Sequence, residues 1–479
     1  MKNIIGNELL DSSNNQIIEI INPATNELID TIPSSTKEDV DKVVKIANIA
    51  YKKWSKTPMH ERGEILKKFA CLVENEKESL SKLLSDETGK PISEAIAEIG
   101  NTKIFVNGYV ERAKHMYGLN IPVGSEPGHE STIQFTVQEP LGVVACIIPF
   151  NFPCDLFGQK VPSALIMGNS VIIKPSSCNP LTLSRYVELL LKAGVPAGVV
   201  NIIHGKGEIV GHELAAHPLV HCVSLTGSTR AGMETMATCS KNLTHVMLEL
   251  GGNDAFIVLE DGNLDLAVEE TVWGRLYNTG QVCCSSKRFL IHNSIKDKYI
   301  EKMVKKIKTL KQGLPSDPST QIGCLINESA AKKVEEQVKQ TIDAGANIVI
   351  GGHRKGAFYE PTIIDNVTKD MDVAKDMEIF GPVISVIGFD TINEAIEIAN
   401  QSSFGLCGSV ISENMKKSFK VANALEVGGA VINGASFFRS AEMPFGGWKY
   451  SGIGNEGISS TLKELSRTKT IVLKNILKE

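Results

Sequence analysis

Five short runs between residues 143 and 250 constrain this chain more than any other feature: VVACII (143–148), SVIIK (170–174), VVNII (199–203), HCVSL (221–225) and VMLEL (246–250). Each is apolar nearly throughout and rich in β-branched residues, and helical spacers separate several of them. A strand without a polar face has to be covered on both sides, so the pattern predicts a doubly wound parallel α/β sheet flanked by helices. Sheets of this kind bind ligands at the carboxyl ends of their strands.

A second alternating region follows residue 252, with strand-like AFIVL (255–259) and RFLIH (288–292) and helices near 295–312 and 328–344. Ahead of both lie small antiparallel strands within 1–33. Then comes a helix capped by Thr36, whose Val40, Val43, Val44, Ala47, Ala50, Tyr51 and Trp54 repeat at three and four. Further helices are expected around 60–77, 78–87 and 92–115. Between Asn120 and Glu139 a Gly- and Pro-rich stretch gives way to alternating Ile133, Phe135 and Val137, an exposed β-ribbon that needs a partner. Thr468–Leu473 is another strand candidate. At 479 residues the chain exceeds one ordinary core. The expected division is a first domain over 1–119 and 141–251, a second over 252–450, and oligomerisation elements at 120–140 and 451–479.

A net charge of −5 gives no footprint for nucleic acid or an anionic membrane, and no run of eighteen apolar residues suggests a span. Ten cysteines in so long a chain are no disulfide framework, and MKNIIGNELLDSS lacks an apolar signal core, so a reducing cytoplasmic location is expected. The ten histidines never pair with cysteines or carboxylates at ligand spacing, so no metal is expected.

Chemistry concentrates at Tyr277–Arg288, YNTGQVCCSSKR, where Cys283 and Cys284 follow a Gly-Gln turn and precede a strand. A free thiol titrates near about 8.5 and needs help to ionise at neutral pH. Glu249, at the end of an apolar run and before Gly251-Gly252, is a candidate base.

Together E249-L-G-G and N278-T-G-Q-V-C283 resemble the two signatures of the aldehyde dehydrogenase superfamily, and the resemblance runs over nearly the whole chain. It implies that Cys283 is the nucleophile, with Cys284 its neighbour, and that Glu249 is the general base. It assigns Asn151, in Pro149-Phe150-Asn151-Phe152-Pro153, to the oxyanion together with the Cys283 backbone N–H. The first domain then becomes a Rossmann-like cofactor domain and the second a catalytic domain facing it across a cleft. The ribbon becomes a protruding hairpin that joins subunits into a homodimer or a dimer of dimers, a homotetramer.

The resemblance also implies NADP or NAD as cofactor. Lys174 would reach the adenosine ribose. Ser177 stands where NAD-preferring members commonly have Glu, which leans the expectation towards NADP or dual use. Gly227 and Ser228, in T226-G-S-T-R-A-G, would face the pyrophosphate at a helix start. Glu378 and Phe380, in E378-I-F-G-P, would contact the nicotinamide ribose and ring. MPFGGWKYSGIGNEG (443–457) would wall a substrate tunnel, with Phe445 lining it and Phe152 also at the substrate.

Arg439 falls where members acting on neutral aldehydes are often aromatic, and could hold a carboxylate or phosphate. The alternative is a structural pair with Glu442. The expected substrate is a short aldehyde with an anionic or hydroxyl group, succinate semialdehyde first and lactaldehyde-like compounds next. Rival readings are a CoA-acylating aldehyde dehydrogenase, which typically lacks the glutamate, a cofactor-independent thiol hydrolase or esterase, and a non-catalytic binding protein on the same fold.

Overall fold

In a computed structural model, which describes residues 1–478, the strands Val143–Ile147, Ser170–Lys174, Val200–Ile202, Cys222–Thr226 and His245–Glu249 run parallel in one sheet. Across the sheet the Val200, Ser170 and Val143 strands lie to one side and the Cys222 and His245 strands to the other. The chain therefore builds outward from Val143–Ile147, then returns to build the other way. That reversal opens a crevice at the carboxyl ends of the Val143–Ile147 and Cys222–Thr226 strands.

Alternation within each strand explains the two-sided cover. Val144, Cys146, Val171 and Ile173 enter a core shared with Leu66, Phe69, Val106, Phe157 and Tyr186 of the surrounding helices. Val143, Ala145 and Ile172 enter the opposite core, with Val40, Val43, Val44 and Ala47 from the Lys37–Trp54 helix. Each such fully buried aliphatic side chain contributes about 1.5–3 kcal/mol. The Lys37 helix starts where expected, with the Thr36 N–H donating to Asp39 Oδ2 at 2.9 Å.

Both edges of this sheet are antiparallel additions. Asn3–Ile5 pairs beside Ile202, and Gly452–Ile453 pairs with Leu248 and Glu249. The following helix, Ile458–Glu464, buries Ile458 and Leu462 in the same core as Met247. The stretch after 451 thus first returns to the Cys222–Glu249 side, because its apolar helix face needs a cover that a two-sided ribbon lacks. Only Ser466–Leu473 pairs with the ribbon strand Ile133–Pro140, with Asn120–Ile121 on that strand's far side. Val472 and Leu473 remain 52% and 41% exposed there, leaving a partly apolar surface on an open sheet.

The second sheet has the order Asn347–Ile350, Thr362–Val367, Val383–Phe389, Ser286–His292, Asp254–Val258, Cys407–Ile411, Gly429–Ile432, and only its first strand is antiparallel. Ala255, Ile257 and Leu290 face one core, and Phe256, Val258, Phe289 and Ile291 the other. Among the described residues no helix is long and apolar enough to cross a membrane.

Candidate active site

The thiols sit on a backbone that is bent and clamped. After the Leu264–Thr271 helix the chain widens into a turn over Val272–Leu276, then passes through Asn278, Thr279 and Gly280 at φ of 50°, 54° and 76°. Positive φ at a β-branched threonine costs on the order of 1–3 kcal/mol and persists only where neighbours enforce it. They do so here. The buried Arg275 guanidinium donates to the Val383 carbonyl at 2.6 Å, the Ile379 carbonyl at 2.8 Å and Ser285 Oγ at 3.1 Å. The Asn278 amide donates to the Asn151 carbonyl at 2.9 Å, and the Asn278 N–H to Glu94 at 2.8 Å. Gly280 packs so tightly that an added Cβ would lie 2.3 Å from the Gly381 carbonyl oxygen. Burial draws Arg275 down to about 9, the cost of holding this loop from beneath.

Cys283 is part-exposed while Cys284 is buried in an apolar cluster with Val282, Leu406, Cys407 and Phe445. The Cys283 thiol is held below its ordinary value, first because the Cys284 S–H donates to it. Lys287 and Arg439 add positive charge, against the opposing effect of burial. Cys284 moves well above its ordinary value for the complementary reason. Lys287 is anchored by donating to the Val282 and Cys283 carbonyls at 2.9 and 2.6 Å, and it sits 3.3 Å from Glu378. Cys283 is thus the thiol of the pair more easily ionised and more open to a ligand.

Asn151 follows Val143–Ile147 at the crevice and is 7% exposed. Its backbone carbonyl accepts from Lys90 Nζ and Asn278 Nδ2, both at 2.9 Å, and the residue lines a cavity with Cys283. Lys90 is fully buried and paired with Glu98, whose other oxygen accepts from the Cys154 N–H at 2.8 Å. The same ammonium lies 4.2 Å above the Phe152 ring. Phe152 lines the cavity and stacks on Tyr277, at 6.2 Å between centroids.

Glu249 ends its strand 5% exposed, and its Oε2 has no hydrogen-bond partner. Burial, then the nearby Glu456 carboxylate, drive it well above the ordinary carboxylate range, while Lys160 and Arg439 pull the other way. Glu456 accepts from Lys160 at 3.0 Å and lies 3.7 Å from Arg439.

A cavity of about 380 Å³ joins the thiol loop to the Asn151 turn, lined among others by Asn151, Asp155, Trp273, Tyr277, Cys283 and Arg439, while Glu249 is not among its lining residues. Arg439 stacks on Phe445 with 3.8 Å to the ring centroid, and its Nη2 is buried without a hydrogen bond. Two expectations are corrected here. Phe445 is 3% exposed and backs Arg439 instead of lining the cavity, because the guanidinium covers its ring. The carboxylate nearest Arg439 is Glu456, since Glu442 is engaged with Ser459.

On the other side of the cleft, Lys174 ends its strand 5% exposed, and among the described residues its ammonium has no ion pair or hydrogen bond. Burial pushes it down to about 8. Ser177 Oγ donates to the Gly205 carbonyl at 2.8 Å. The Gly227 N–H donates to the Glu249 carbonyl at 2.9 Å, tying this loop to the neighbouring strand end. Ser228 caps the Thr229–Cys239 helix by accepting from the Ala231 N–H at 3.3 Å, so other first-turn N–H groups stay available to an anion. Glu378 lies 3.4 Å from the Gly252 N–H, and Phe380 meets Phe150 edge-on at 5.9 Å. A buried unpaired ammonium and an open helix start fit a dinucleotide.

The thiol loop shares its cavity with a strand end of a doubly wound parallel sheet, and the comparisons give the class of enzyme. The family model described as "Aldehyde dehydrogenase family" matches residues 9–471. The chain is 36% identical to the NADP(+) succinate-semialdehyde dehydrogenase of Escherichia coli, over 95% of this chain and 94% of that protein. It is 36% identical to the lactaldehyde dehydrogenase of Methanococcus aeolicus, over 96% and 98%. Betaine aldehyde dehydrogenase from Staphylococcus aureus, solved with NAD+, superposes with a TM-score of 0.95 at 34% identity, covering 100% of this chain and 95% of that one. The chain belongs to the aldehyde dehydrogenase family. It is an NAD(P)-dependent enzyme that oxidises an aldehyde to the carboxylic acid.

Proposed function

We propose that Cys283 is the nucleophile, Asn151 with the Cys283 N–H the oxyanion donors, and Glu249 the general base for a short aldehyde bearing an anionic or hydroxyl group. The observation carrying this reading is the common cavity wall of Cys283, Asn151 and Arg439, with the buried Glu249 carboxyl near enough for charge on Cys283 to raise it. The Cys283 thiolate adds to the aldehyde carbon, and the oxygen takes the charge at the two donors. Bound NADP or NAD supplies the hydride acceptor. Cys283 then carries a thioester, and Glu249 takes a proton from the water that hydrolyses it, releasing the acid and freeing the thiolate.

Lys174, Ser177, Gly227, Ser228, Glu378 and Phe380 would hold the cofactor, with 1–119 and 141–251 as its domain and 252–450 as the catalytic one. Ser177 places no carboxylate against a 2′-phosphate, which favours NADP or dual use. Succinate semialdehyde is the first candidate substrate and lactaldehyde the next, in keeping with the named activities of the two relatives. The open ribbon of Ile133–Pro140 and Ser466–Leu473 suits pairing between copies as a dimer or dimer of dimers, and a monomeric mass by light scattering would contradict it. Ten unpaired cysteines suit a reducing, cytoplasmic setting. Replacing Cys283 by Ala tests the core of the reading: turnover should vanish with cofactor binding retained, and a Cys283→Ala enzyme that still oxidises aldehydes would refute it.

A further inference from the structure

One buried ion pair directs all its remaining contacts to the backbone around Asn151. Lys90 precedes the Ile92–Ala113 helix and Glu98 lies on it. Their side chains are 0% and 1% exposed and pair with each other. Lys90 Nζ also donates to the Asn151 carbonyl at 2.9 Å and lies 4.2 Å over the Phe152 ring. The other Glu98 oxygen accepts from the Cys154 N–H at 2.8 Å and from the Asp155 N–H at 3.4 Å. The Pro153–Ile166 helix needs that acceptor, because its N-cap is Phe152, whose side chain has no oxygen to offer the first-turn N–H groups. Replacing a buried ion pair by apolar side chains is often neutral or stabilising, so stability alone does not account for this one.

Resting on the oxyanion role proposed above for Asn151, we infer that Lys90 and Glu98 are positioning residues for the reaction, fixing the Asn151 turn from both ends so that its amide stands where charge develops on the aldehyde oxygen. Such a donor has to be in place beforehand, and a displacement of about 1 Å can cost about 10²-fold in rate. Asn151 has no regular structure of its own to place it, since it lies between the Val143–Ile147 strand and the helix that starts at Pro153. Lys90 holds the turn at Asn151 and Glu98 holds its exit. Neither residue lines the cavity, so both act through Asn151. The same helix also reaches the thiol loop. Glu94, four residues before Glu98 and therefore on the same face, accepts from the Asn278 N–H at 2.8 Å. Asn278 Nδ2 in turn donates at 2.9 Å to the carbonyl that Lys90 holds. The Ile92–Ala113 helix thus sets the turn carrying Asn151 against the loop carrying Cys283.

The test is the rate of the first turnover, read by stopped flow as reduced cofactor at saturating NADP+ or NAD+, with whichever of succinate semialdehyde and lactaldehyde wild type oxidises faster. Lys90→Met alone leaves the Glu98 carboxylate buried and unpaired, a change that can prevent folding. The informative variant combines Lys90→Met with Glu98→Gln, which buries no charge, keeps an acceptor for the Cys154 N–H and removes the ammonium's hold on Asn151. It should slow the first turnover by about tenfold or more, with cofactor affinity by fluorescence titration unchanged. Introduced into Asn151→Ala, where no amide is left to place, the same two substitutions should slow it by less than about twofold further. A first turnover at the wild-type rate in the combined variant, or a slowing as large with Asn151→Ala as without it, would overturn the inference and leave the oxyanion reading intact. A first turnover that Asn151→Ala itself leaves unchanged would overturn both.

Discussion

Arg439 lies with its guanidinium 3.8 Å above the Phe445 ring, so an aromatic face, not a carboxylate fork, sets its plane. Planar stacking of this kind is worth about 0.5–2 kcal/mol and is specific to arginine over lysine. Arg439→Lys keeps the charge but loses the plane and the Nη2 donor. The expected outcome is a fall of about tenfold in kcat/KM for lactaldehyde. An unchanged value would mean that charge alone matters at this position.

As the proposed general base, Glu249 should govern the pH profile. Its carboxyl is raised by burial and by Glu456. A base works only when deprotonated, so a raised value moves the acidic limb of kcat upward, well clear of the ordinary carboxylate range. In wild type the acidic limb should therefore lie above the pH at which an ordinary carboxylate titrates. In Glu249→Gln that limb should disappear, with kcat reduced by about 10²–10⁴. A limb that survives the substitution would belong to another group.

Cys284 sharpens Cys283 by donating its S–H. Cys284→Ala removes that donor, and the Cys283 thiol should titrate higher. The pH midpoint of iodoacetamide inactivation reads this directly. A midpoint that stays put or moves down would show that Lys287 and Arg439 alone determine the thiolate.

Ser177 donates to the Gly205 carbonyl, and in the proposed cofactor site it would decide what a ribose substituent meets. Ser177→Glu should lower kcat/KM for NADP+ by about tenfold or more through like-charge repulsion, with NAD+ much less affected. Equal losses for both cofactors would place Ser177 in loop structure only.

Much of this arrangement is legible in the chain itself, and the reasons for the rest are physical. Strands buried on both faces are apolar throughout, so the Val143–Glu249 sheet announces itself, and the Asn278–Cys283 turn is marked by its Gly. Asp155 is not, because an acid in the first turn of a helix reads as a dipole partner. Lys160 with Glu456 is a pair between segments 296 residues apart, and no local pattern joins them. Phe445 was expected on the tunnel wall because its motif is there. What the motif cannot carry is the rotation of Arg439 over its ring.

The most direct test of the central claim is single-turnover mass spectrometry of Glu249→Gln with aldehyde and NADP+. On the proposed roles, hydrolysis needs the Glu249 carboxylate while hydride transfer does not. The account predicts one equivalent of reduced cofactor per active site and an acyl group on the peptide at Cys283. Reduced cofactor without an adduct, or an adduct on Cys284, would contradict it.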